Sequence, residues 1–324
     1  MAETFRDLIA QNKRKSFWLM VGFFLFTVIV AGVLSLAVLF SIDPSMGSGR
    51  SWVWSVAIGL IAALLSFLYM YLSYMEGDRM ILGISGAKPI EKADDPQLFN
   101  VVEEMAIAAG VPMPRVYLID DSAPNAFATG RDPEHAVVAI TTGLRAKLNR
   151  EELQGVIAHE MAHIRNFDIR LMMLMAVLIG TIVMLADFFW RIMWVTGRGR
   201  NRGRDRDSKG GGLIVVIVIV LAIVLAMVAP VVAQIIQLAV SRQREYLADA
   251  SAVELTRNPL GLASALRKID EDPEVLESAN RGTAHLYIAN PIKTFEARAS
   301  SMFASHPPIK DRIARLEALA TRSA

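Results

Sequence analysis

Residues 149–166 read NREELQGVIAHEMAHIRN, and the reading of this stretch decides the fold. Asn149 is a strong helix N-cap, and Glu152 stands where it completes a capping box. A helix that starts there carries His159 and His163 one turn apart on the same face. Both imidazoles can then reach one metal ion, and Glu160 between them can reach a water that the ion activates. The HExxH spacing therefore calls for a helix at the centre of the soluble part of the chain.

Two histidines do not complete a hydrolytic metal site, which takes three protein ligands and keeps one position open. The chain has no cysteine. That excludes disulfides, thiolate metal sites and a cysteine nucleophile, so the third ligand is His, Asp or Glu. His135, His285, His306 and several carboxylates are candidates. The best is Glu245 in Ser241-Arg242-Gln243-Arg244-Glu245-Tyr246-Leu247-Ala248-Asp249. A helix there puts Asp249 one turn beyond Glu245, where it can hold a ligating histidine by its other ring nitrogen.

The apolar content, 53% of 324 residues, is concentrated in four blocks: Trp18 to about Ile42, Trp52 to about Leu72, Leu171 to about Val195, and Leu213 to Ala233. Each approaches the roughly 20 residues that cross a hydrocarbon core. An ordinary soluble globule and a disordered chain are both excluded. The net charge of +2 is too small for a nucleic-acid binder. Residues 1–75 thus read as an N-terminal anchor of two spans, 18–42 and 52–72. Residues 76–324 read as a metallopeptidase-type domain interrupted by a membrane hairpin, 171–195 and 213–233.

Arg6, Lys13, Arg14 and Lys15 precede the first block and only Arg50 follows it, which puts the N-terminus in the cytoplasm. The Gly/Arg-rich loop 196–212 runs against this rule if blocks three and four cross. Either their hydrophobicity overrides it or the hairpin does not fully cross. The loop itself reads as a solvated linker. Asp187 and Arg191 read as an i,i+4 ion pair at the interface. His159 and His163 precede Leu171 by 12 and 8 residues, and Glu245 follows Ala233 by 12. On antiparallel helices leaving the bilayer side by side, all three would stand roughly 12–18 Å above it.

The soluble segments predict an α+β domain, mainly helical with a small sheet. Leu98, Val101, Val102, Met105, Ala106 and Ala109 space a helix over 95–110, ended by Gly110. Arg115–Asp120, Asn125–Thr129 and His135–Thr141 read as strands, the last two pairing as a hairpin. Ile309, Ile313, Leu316 and Leu319 mark a last amphipathic helix.

His159-Glu160-Met161-Ala162-His163 with Glu245 and Asp249 resembles a gluzincin metallopeptidase. Together with SRQREYLADA, the NAFATG stretch and Ser305-His306-Pro307-Pro308, the chain closely resembles the HtpX-type membrane proteases, bacterial relatives of the CAAX prenyl proteases. The resemblance covers nearly the whole chain. It implies a zincin-like cytoplasmic domain with one zinc ion, bound by His159, His163 and Glu245. Glu160 would be the general base and Asp249 would support a ligand. Asn125 and Ala126 would lie on an edge strand that pairs with substrate, and His306 would stabilise the oxyanion. Asn166 and Asp168 either support a ligand or mark the water interface. The resemblance further implies residence in the bacterial inner membrane, with the site on the cytoplasmic side, and quality control of misfolded membrane proteins. Two other readings stay open: a processing peptidase for one lipidated or peptide substrate, and a zinc-binding scaffold without activity. Oligomeric state and cleavage preference are open as well.

Overall fold

The computed structural model describes residues 5–42, 49–181, 242–279, 283–289, 291 and 307–323. One compact unit draws its described residues from Met1–Ser16, Tyr74–Leu178 and Ile235–Ala324, the other from Phe17–Ser73 and Ile179–Gln234. The architecture is mostly helical, with a small mixed sheet. Loop 196–212, block four, the far part of block three with Asp187 and Arg191, and His306 lie outside the described residues.

Helix starts follow local side-chain chemistry. α1 spans Phe5–Ile42 and α2 spans Gly49–Ile84. α3, Pro96–Ala109, is capped by Asp95, which accepts from the Leu98 amide at 3.0 Å, with Pro96 at its first position. Gly110 ends it at φ 67°, a left-handed conformation that suits glycine. α4 covers Thr142–Lys147 and α5 covers Arg150–Arg165. At the start of α5, Asn149 Oδ1 accepts from the Glu152 amide (2.9 Å) and Glu152 Oε2 from the Asn149 amide (2.8 Å). α6 is Arg242–Thr256, α7 is Pro259–Glu271 and α8 is Ile309–Ser323.

The strands are β1 (Lys88–Pro89), β2 (Arg115–Ile119), β3 (Ala126–Thr129) and β4 (Val137–Thr141), in the order β1-β2-β4-β3. β3 and β4 pair antiparallel, with Phe127 opposite Ala139, as a hairpin requires. β2 and β4 run parallel. β4 begins two residues later than its sequence suggests. Asp132 caps a 3₁₀ turn, Pro133–His135, and draws His135 out of the strand. Every residue of β3 and β4 is buried. Together with α3, α5 and α7 they enclose one apolar core that includes Leu98, Val138, Ile140, Val156 and Leu266.

α5 sits at the centre of this core, buried almost continuously from Glu152 to Ile164. It packs closely on α7 because residue 155 is glycine: a Cβ there would stand 2.7 Å from the Leu262 nitrogen. A second tie is Glu152. Its carboxylate accepts from Ser264 Oγ and Lys268 Nζ, both at 2.7 Å, as well as from its own cap. Burial alone would raise the Glu152 pKa, but the Lys268 and Ser264 hydrogen bonds outweigh it and hold the carboxyl below its usual range. The resulting stabilisation is present above the unfolded-state value of about 4.3 and is lost as pH falls through the lower folded value. Glu152→Gln should lower stability by about 1–3 kcal/mol at neutral pH. Thermal unfolding in detergent should show the gap to wild type closing as the medium is acidified.

α2 continues past Leu72 to Ile84. Among the described residues, Val56–Ile84 is long and apolar enough to cross a membrane. Leu60 and Leu64 are 67% and 66% exposed on it. Tyr69 holds a ring contact with Phe23 (6.2 Å between centroids) and a hydroxyl contact with Thr181.

Candidate metal centre

His159 and His163 project from successive turns of α5. Their ring centroids are 4.8 Å apart and their planes are nearly perpendicular. The two Nε2 atoms face each other at 3.2 Å. Glu245, in the first turn of α6, brings Oε2 to 3.7 Å from His159 Nε2 and Oε1 to 3.6 Å from His163 Nε2. All three side chains are buried.

The other ring nitrogens are held from behind. His159 Nδ1 lies 3.0 Å from Asp249 Oδ1, and His163 Nδ1 lies 3.1 Å from Asp168 Oδ2. A carboxylate at Nδ1 favours the Nδ1–H tautomer, which leaves the Nε2 lone pair for a metal. A tetrahedral ion with ligands at 2.0–2.1 Å separates them by roughly 3.3 Å, close to the observed triangle. The donor set of two imidazoles and a carboxylate suits zinc.

Charge supports the same fit. Asp249 accepts from Arg312 twice, Oδ2 from Nε at 2.9 Å and Oδ1 from Nη2 at 2.7 Å. Arg312 also donates to the Ile288 carbonyl at 2.7 Å and is fully buried. Arg244 Nε stands 3.3 Å from Asp168 Oδ1. Arg312 thus answers Asp249 and also stands 3.7 Å from Glu245 Oε2, while Arg244 answers Asp168.

This arrangement moves the titrations apart. Burial lowers His159 to about 4, against the Asp249 hydrogen bond. Burial would lower His163 too, but the Asp168 hydrogen bond and the charge of Glu245 raise it to about 9. Burial raises Glu160 to about 7, with the Glu245 charge adding to the effect and His163 opposing it. A site that draws a proton onto His163 would release it when a metal binds.

Glu160 accepts from the Ala128 amide on β3. β3 is an edge strand, and part of its edge is engaged within the chain. The Ala126 carbonyl accepts from the Ile288 amide at 2.9 Å. Asn125 Nδ2 donates to the Ala289 carbonyl at 3.1 Å, while Oδ1 accepts from the Ala126 amide at 3.1 Å. A substrate strand pairing at Ala126 must displace Ile288.

Among the described residues, the other candidate histidines, His135 and His285, are not part of the cluster. His135 is half exposed and pairs with Asp132. His285 Nε2 is 3.1 Å from the Met172 carbonyl. Asp168, which the sequence left between two roles, lies behind His163. Arg312 was missed. Its signal was a charged residue one turn before Leu316 on the apolar face of the last helix. Asn12 was missed as well: Nδ2 donates to Asp168 Oδ1 at 2.7 Å, and only its setting in a basic run marked it.

The sequence profile of peptidase family M48 matches residues 92–320, the part that holds the described cluster. The chain belongs to peptidase family M48. Relatives named Protease HtpX homolog include one from Levilactobacillus brevis, 45% identical across 96% of this chain and 98% of that protein. One from Thermoanaerobacter pseudethanolicus is 43% identical across 98% of each. The crystal structure of S. mikatae Ste24p is similar at a TM-score of 0.45 and 19% identity, over 95% of this chain and 66% of that one. Like its HtpX relatives, this M48 member is a metalloprotease.

Proposed function

We propose that this protease is a zinc endopeptidase of the bacterial inner membrane, which cuts misfolded or damaged membrane proteins at the cytoplasmic face. The observation that carries the reading is the buried triangle of His159, His163 and Glu245 with the Glu160 carboxylate beside it. A closed structural site has no use for a base held near neutrality next to its ligands.

His159, His163 and Glu245 would hold the zinc ion, one per chain. Bound there, zinc supplies a Lewis acid and lowers the pKa of a water nucleophile. Asp249 and Asp168 orient the two imidazoles. Glu160 takes the proton of the attacking water and returns it to the leaving amine. His306 donates a hydrogen bond to the developing oxyanion. The edge of β3 around Asn125 and Ala126, once Ile288 is displaced, binds an extended polypeptide by backbone pairing, which demands little of its sequence. That tolerance suits unfolded substrates of many kinds. The exposed apolar surface of α2 supports a bilayer around it, and the basic N-terminus supports a cytoplasmic site.

The test is cleavage of casein by the detergent-purified chain, with zinc and with chelator. Zinc-dependent cleavage is the expected result. A zinc-loaded, folded preparation that leaves casein intact would overturn broad specificity in favour of a dedicated processing substrate. Glu245→Ala is expected to lose more zinc affinity than the roughly 10- to 100-fold that follows loss of a supporting partner, and its activity with it. Metal titration beside the same cleavage assay checks both.

A further inference from the structure

Asn12 lies in α1 within the run Gln11-Asn12-Lys13-Arg14-Lys15, whose charges read as a topological signal. Lys13 and Arg14 are exposed, as a solvated run requires, but Asn12 is only 4% exposed. Its amide Nδ2 donates to the Asn166 carbonyl at 2.9 Å and to Asp168 Oδ1 at 2.7 Å. The other oxygen of that carboxylate, Oδ2, stands 3.1 Å from His163 Nδ1. A hydrogen-bonded path therefore runs from α1 through Asp168 to a proposed metal ligand.

The backbone explains how Asp168 comes to be there. α5 ends at Arg165, and Phe167 takes φ 60°, a left-handed conformation that non-glycine residues seldom adopt. The reversal carries Asp168 back beneath His163. Lys13 Nζ lies 4.2 Å from the Phe167 ring centroid. Two adjacent residues of α1 thus grip both the turn and the carboxylate it presents.

We propose that Asn12 is a positioning residue of the metal centre: it fixes the Asp168 carboxylate, which in turn orients His163. The inference rests on the metal-site reading above. The carboxylate has rotational freedom about its side-chain bonds, and an imidazole follows its hydrogen-bond partner. A donor on Oδ1 restricts that rotation while Oδ2 holds the ring. Metal affinity would then depend on the first turns of the helix that continues into the apolar N-terminal block.

The test uses the full chain, purified in detergent, stripped of metal and titrated with cobalt(II). The readouts are the dissociation constant and the visible absorption bands of the bound ion. Asn12→Ala should weaken cobalt binding about 10- to 100-fold and shift the bands, whereas Arg14→Ala, an exposed neighbour, should change neither. In an Asp168→Ala background, Asn12→Ala should have little further effect, because the two act through one path. Asn12→Leu keeps the γ-branched shape and removes the amide donor together with its oxygen, so it replaces the alanine variant if that one fails to fold. Wild-type affinity and bands in Asn12→Ala or Asn12→Leu would overturn the proposal. So would losses at Asn12 and Asp168 that add in full. Absence of cobalt binding by the wild type would instead overturn the metal-site reading itself.

Discussion

Glu160→Gln is expected to bind zinc as the wild type does and to hydrolyse peptide bonds about 10²- to 10⁴-fold more slowly. The substitution keeps size and shape, and a glutamine oxygen can still accept from the Ala128 amide. The three proposed ligands stay in place, so metal content should match wild type. What disappears is the group that accepts a proton. Atomic absorption on the purified variant, run beside a casein assay, separates the two properties. Near-wild-type hydrolysis by the variant would mean that another group is the base.

The same residue is expected to set the acid side of the pH profile. Burial, with the charge of Glu245 adding to it, pushes Glu160 up to about 7. Only the ionised form accepts a proton, so activity rises as pH rises through this pKa. A bound dication favours the ionised carboxylate. The acid limb of kcat/KM should therefore have its midpoint below about 7, and the residual activity of Glu160→Gln should lack that limb.

Arg312→Ala is expected to destabilise the unit that holds the site by about 3–5 kcal/mol, the loss that follows when one partner of a buried ion pair is removed. The guanidinium is fully buried and spends three donors on Asp249 and the Ile288 carbonyl. Among the described residues, buried Asp249 would then keep His159 as its hydrogen-bond partner. Burial alone would raise the Asp249 carboxyl, but Arg312 foremost, together with His159, holds it down to about 2. A folded pKa below the unfolded one means stability that is present above about 4 and lost as pH falls toward about 2. The variant should show a flatter loss of stability across that acid window. Urea unfolding of both proteins at neutral and acid pH measures the offset and the slope. An Arg312→Ala variant as stable as wild type would show that Asp249 finds its compensation elsewhere.

Much of the site was legible because its chemistry is local. Asn149 and Glu152 announce the start of α5, and i,i+4 spacing alone puts His159 beside His163. The same spacing puts Asp249 one turn beyond Glu245. Gly110 ends α3 where a left-handed residue is needed, and the hairpin of β3 and β4 follows from two short β-rich runs around a turn. The exact start of β4 was not legible, because Asp132 captures the His135 amide and forms a 3₁₀ turn that strand propensity does not anticipate.

Arg312 and Asn12 were illegible for another reason. One is marked only by its place on the apolar face of an amphipathic helix, with nothing nearby in sequence to name its partner, and the other looks like part of a basic topological signal. Arg312 lies 153 residues from His159, and Asn12 lies 156 from Asp168. The occupancy of the β3 edge by Ile288 belongs to the same class.

By itself, then, the sequence determined the helix that carries the two candidate histidine ligands, the helix that brings the third candidate ligand, the small sheet and the apolar blocks. Caps, periodicity and one-turn spacing are properties of a few consecutive residues, and they hold whatever the rest of the chain does. Only the tertiary structure decided which groups hold those ligands: Asp168 behind His163, Arg312 behind Asp249, and Asn12 behind Asp168. A buried imidazole or carboxylate must find its partner inside the protein. That partner is whichever segment the packing of the core brings against it, however far away it lies in the chain.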